Sequence, residues 1–145
     1  MMKWDSKYFV TELKLSAGDA PWTPQFEKNE AMRLISLDSG VREGAFYMET
    51  AWFLPGEWPV TKGDVGTVKA HSHEFDETVA YVGTDPSDPY NLNGEVEFWI
   101  DGQQNNIDKS FIAFIPAGIE HGPLLIKRID KPIFHFTAGM GKKYR

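Results

Sequence analysis

Three of the four histidines of this chain fall in two short segments, His71-Ser72-His73-Glu74-Phe75-Asp76-Glu77 and Pro116-Ala117-Gly118-Ile119-Glu120-His121. Imidazole nitrogens and carboxylate oxygens are the donors that hold divalent transition metals. If the first segment is extended, side chains alternate between its faces, so His71, His73 and Glu77 share one face while Glu74 and Asp76 do not. The Pro-x-Gly turn then delivers His121 from a distant part of the chain. The reading is one metal ion per chain, held by His71, His73, Glu77 and His121. The chain has no cysteine, so thiolate ligands and disulfides are excluded and nitrogen and oxygen must do all the holding. Such a donor set suits Fe, Mn, Ni, Co, Cu or Zn, and four protein ligands leave an octahedral ion one or two open positions.

These residues have to be positioned by strands. Residues 32–37, 45–54, 67–73, 78–82, 95–100, 111–115, 123–129 and 132–137 are short runs rich in β-branched or aromatic residues, separated by turn chemistry. Asp101-Gly102 reads as a hairpin turn, and residues 129–132 as another reversal. Residues 85–90, with two prolines and two aspartates, read as a connection between strands. Eight strands without an amphipathic helix predict an all-β, single-domain jelly-roll barrel. The expected division is an N-terminal arm and irregular segment over 1–30, tied down by Trp22 and Phe26, and a barrel over 31–145.

The two histidine segments resemble the motifs of the cupin superfamily. Gly66, His71, His73, Glu77 and Gly83 match the first motif, and Pro116, Gly118 and His121 match the second. Gly66 and Gly83 each stand one residue closer to the ligands than usual. Ser110 takes the place of the second motif's glycine, and Leu125 that of its asparagine. None of these departures touches a metal ligand. The resemblance implies a jelly-roll barrel with the metal inside it. It also implies a homodimer, for which the N-terminal strand candidate Tyr8–Leu15, with Phe9 and Trp4 nearby, could cross to a partner's sheet edge.

Composition narrows the function. With 145 residues the chain holds one domain. A net charge of −6 and no basic cluster longer than Lys142-Lys143 argue against a nucleic-acid partner. No run approaches the ~20 apolar residues of a membrane span, and residues 1–10 lack the apolar core of a signal peptide. A cytoplasmic location is the default expectation.

Three further residues are candidates for proton transfer around the metal. Glu49 is an acid on the strand at 45–54, whose two apolar faces predict burial on both sides; pairing with Arg33 or Arg42 is the alternative to a catalytic role. Tyr81 lies four residues beyond Glu77 on the ligand face; a core residue is the bland reading. His135 shares a face with Ile133 and Thr137 and is read as pointing toward the metal cavity without ligating. A packed histidine bonded to a backbone carbonyl is its alternative. Lys69 is the one obvious cation beside the motif, which disfavours a phosphosugar substrate. The expected function is a metal-dependent enzyme acting on a small organic molecule, with an oxygenase favoured over an isomerase or lyase. A non-catalytic module binding a sugar or small molecule is the alternative.

Overall fold

The computed structural model describes residues 7–14, 31–56, 67–68 and 70–141. Nine strands form: β1 (Ala31–Leu37), β2 (Tyr47–Phe53), β3 (Thr67–Val68), β4 (Glu77–Gly83), β5 (Asn91–Ile100), β6 (Gln103–Lys109), β7 (Phe111–Ile115), β8 (His121–Ile129) and β9 (Ile133–Gly139). No helix occurs among the described residues, so none there is long and apolar enough to cross a membrane. The strands make two antiparallel sheets, ordered β1-β2-β9-β4-β7 and β3-β8-β5-β6. The all-β jelly-roll expectation holds.

Period-two patterning explains how the sheets close on each other. In β2 and β9 every second residue is buried. Ala51, Phe53, Val79, Tyr81, Ile115 and Ile133 from one sheet meet Leu92, Val96, Phe98, Leu124, Ile126 and Ile129 from the other. This is the core. Register arranges the inner face of the five-stranded sheet in rows. Tyr47, Gly139, Glu77 and Ile115 form one row across β2, β9, β4 and β7; Glu49, Thr137, Val79 and Ala113 form the next; Ala51, His135, Tyr81 and Phe111 lie one row deeper.

The hairpin at Asp101-Gly102 forms as read, with φ of 52° and 74° at its two residues. It leads into β6, which the sequence reading did not include. Gln103–Lys109 is almost wholly polar, with exposed side chains along an edge, and its strand conformation comes from pairing with β5.

Three other expectations need correction. Residues 67–73 are not one strand: β3 ends at Val68, His71 makes an isolated bridge to His121, and residues 72–76 are irregular. Strand parity is therefore not what gathers the first motif's donors. Residues 8–14 form no strand; they lie beside β1, where Ser36 Oγ donates to the Lys14 carbonyl at 3.3 Å. β2 is not buried on both faces, since Met48, Thr50 and Trp52 are half-buried and only Tyr47, Glu49, Ala51 and Phe53 are inside. Trp4, Leu15, Trp22, Phe26, Gly66, Lys69 and Lys142-Lys143 lie outside the described residues.

Candidate metal centre

The two histidine segments are laced together before any side chain is considered. His71 and His121 exchange backbone N–H to carbonyl hydrogen bonds of 2.8 Å each way, and the Gly118 N–H donates to the His73 carbonyl at 2.9 Å. The Ala117 N–H donates to Asp76 Oδ1 at 2.9 Å. Gly118 sits at φ +84°, a conformation that glycine adopts without steric penalty, and so turns the chain between Pro116 and His121. The loop at 71–76 and the turn at 116–118 therefore hold each other's shape.

On this scaffold His71, His73 and His121 each present a ring nitrogen, and the three lie within 4.8 Å of one another. His73 and His121 are buried, at 5% and 3% exposure. Glu77, the first residue of β4, is 3% exposed. Its carboxylate reaches His73 Nε2 at 3.3 Å and His121 Nε2 at 3.2 Å. Neither Glu77 Oε2 nor His121 Nε2 meets the geometry of a hydrogen bond with any protein atom. Buried polar atoms crowded together in this way fit donors arranged around an ion.

The tautomer of His121 supports the same fit. Its Nδ1 lies 3.0 Å from the Ile119 carbonyl, which can only accept, so Nδ1 carries the proton and Nε2 presents a lone pair to the centre. Burial penalises the charged ring of His121, but the Glu77 carboxylate and the Ile119 carbonyl outweigh it and raise its pKa. His73 behaves oppositely. Burial, reinforced by the neighbouring His71 and His121 rings and opposed by Glu77, brings it down to about 4. It is neutral at ordinary pH, the form a metal ligand requires.

The other candidates are placed apart from this cluster. Glu49 is buried in the row below Glu77, where its carboxylate takes a guanidinium nitrogen of Arg33, with one contact at 2.8 Å. The pairing with Arg33 is one of the alternatives the sequence offered. His135 lies four residues from Gly139 along β9, about 13 Å at the rise of an extended strand. Its Nδ1 donates to the Ala80 carbonyl at 2.9 Å, and its ring lies 4.3 Å from that of Tyr81 and 5.6 Å from that of Phe53. Burial pushes the His135 pKa down to about 4 and that of Tyr81 upward. Both rings belong to the packed core two rows below Glu77.

Two contributors escaped the sequence reading. Asp76 sat on the wrong face of an assumed strand, yet in the loop it caps Ala117. Phe75 stacks on the His73 ring, with centroids 4.8 Å apart and planes 11° from parallel. A bulky apolar residue inside a polar motif was the available signal.

No protein-family model matches this sequence, and no curated protein matches it. Solved structures do. An RmlC-like cupin from Shewanella frigidimarina is 15% identical, with 67% of this chain and 68% of that one covered at a TM-score of 0.39. A recombinant oxalate oxidase in complex with glycolate is 16% identical and covers 97% of this chain at a TM-score of 0.52. A second oxalate oxidase structure, also with glycolate, covers 96% at the same score. The chain has the cupin fold. The chain spans 62% of the length of those oxalate oxidase chains. At such identities the likeness is one of fold, and the histidine triad is what says that this chain could hold a metal.

Proposed function

We propose that this cupin binds one divalent transition-metal ion per chain through His71, His73, Glu77 and His121 and is a metal-dependent enzyme acting on a small organic molecule. The convergence of three imidazole nitrogens within 4.8 Å, with Glu77 against two of them, carries the reading. When bound, the ion supplies open coordination positions and, if redox-active, electron transfer. The chain supplies the rest: the Ile119 carbonyl fixes the His121 tautomer, and Asp76 holds the turn that delivers that ring.

Oxygen-dependent chemistry is favoured over isomerisation or elimination. Those alternatives need a side chain that takes a proton from the substrate. Glu49 is engaged by Arg33, His135 donates to Ala80 deep in the core, and burial keeps Tyr81 protonated. The work is then left to the open positions of the ion. Oxalate oxidase shares the barrel and by its name oxidises a small dicarboxylate, which adds an analogy of fold only.

The test is anaerobic loading with Fe(II) or Mn(II), followed by oxygen-uptake measurements over small dicarboxylates, hydroxy acids, enols and diols. Uptake with one of them, absent in His121→Ala, supports the reading. Metal-dependent binding of such a molecule without uptake would favour the binding module. We propose further that the chain works as a homodimer. The outer face of the five-stranded sheet exposes Ile112 at 64% and Phe114 at 62% on its edge strand β7, and Met32 and Ile35 on β1. A groove beside β1, lined by Tyr8, Val10, Leu34, Ile35, Met48 and Phe134, continues that apolar surface.

A further inference from the structure

We infer that Phe75 is a positioning residue for the metal centre, and that Gly139 is the residue that makes room for it. The inference rests on the metal-binding reading above. A ligating imidazole must be held in plane as well as in place, and its holder conditions the metal affinity. His121 has its plane set by the hydrogen bond from Nδ1 to Ile119. His73 has its backbone pinned by the bond from Gly118, and its ring lies flat against Phe75, 11° from parallel.

Phe75 is itself seated in a notch. It is half-buried in the loop before β4, and its ring lies over β9 at Gly139. A Cβ built on Gly139 would lie within 2.6 Å of two Phe75 ring carbons, closer than non-bonded carbons approach. Gly139 pairs with Glu77 on one side and with Tyr47 on the other, in the row of the sheet that carries the metal centre. The absent side chain at 139 is thus the space the Phe75 ring fills, on β9 beside Glu77. The ring that braces His73 is wedged against the element next to Glu77, so ligands from the loop and from β4 share one support.

The experiment uses Co(II) as the probe, with affinity read by titration and coordination geometry read from the visible ligand-field bands. Phe75→Leu keeps the bulk of the side chain and removes the flat face; Phe75→Tyr keeps the face. Gly139→Ala leaves both rings intact and evicts Phe75 from its seat. Phe75→Leu and Gly139→Ala should bind Co(II) about tenfold or more weakly with shifted bands, while Phe75→Tyr stays within about twofold of wild type. Thermal unfolding of the apo proteins checks that each folds. If Gly139→Ala does not fold, the two Phe75 variants, in a half-buried loop, decide the matter. A Phe75→Leu protein with wild-type affinity and bands overturns this inference alone, as does a Phe75→Tyr protein as weak as Phe75→Leu. A wild-type chain that binds no Co(II) overturns the metal reading and this inference with it.

Discussion

His121 and Glu77 occupy different positions in the same centre, and their substitutions should differ accordingly. His121→Ala removes a buried nitrogen donor and the bond that orients it, and should weaken metal binding by about 1,000-fold or more, whereas Glu77→Ala leaves all three imidazoles and should weaken it by about 10–100-fold. Isothermal titration of the apo proteins measures both. His135 makes a separate prediction about pH. In the native chain burial holds its pKa at about 4, against 6.5 for the unperturbed group. Between those values the unfolded chain binds a proton that the native chain does not, so stability rises with pH through the window and is lost on acidification toward 4. Replacing His135 with Phe should flatten that dependence, by about 3 kcal/mol between pH 7 and 4. Urea denaturation of the apo protein across that range reads the slope; parallel slopes for wild type and variant would contradict a buried neutral imidazole. The identities of the converging histidines were legible in sequence, because residue type and the Pro-x-Gly turn are local signals. Phe75 and Asp76 were not, because their partners, Gly139 and Ala117, lie 64 and 41 residues away.

At the level of elements, the hydrophobic runs are legible in sequence where period-two burial organises them, as in β2 and β9. Two elements departed for physical reasons. β6 is polar and exists because β5 offers it a ladder across a tight turn, so intrinsic propensity carried no trace of it. The first motif curls instead of extending, because Phe75 and Asp76 find partners on β9 and on the 116–118 turn. The β1–β2 pair supplies the element-scale prediction. Arg33 and Glu49 form an ion pair whose side chains are 5% and 2% exposed. Arg33→Met strands a carboxylate in the barrel and should cost about 3–5 kcal/mol of stability, while Arg33→Met with Glu49→Leu should recover most of that loss. Denaturant unfolding of the single and double variants measures it; equal stabilities would mean that the pair is solvated.

At the scale of the whole molecule, the all-β jelly-roll architecture was legible from the spacing of strands and turns, the cupin resemblance came from the two histidine motifs, and the structure adds an apolar outer sheet face. Ile112 and Phe114 on β7 sit in the run Phe111-Ile112-Ala113-Phe114-Ile115, which contains no charge or proline to discourage pairing. Sedimentation at micromolar concentration should give twice the 16.5 kDa of the chain. Charging the face with Ile112→Lys and Phe114→Lys should return the mass to that of one chain. A wild-type mass of one chain would contradict the dimer. The function proposed for the chain depends on where a metal binds. Crystals grown with Co(II) or Mn(II), with anomalous diffraction at the metal edge, address that directly. One ion per chain is expected, coordinated at about 2.0–2.3 Å by nitrogens of His71, His73 and His121 and an oxygen of Glu77. Anomalous density elsewhere, or these four side chains free of metal in loaded crystals, would contradict it.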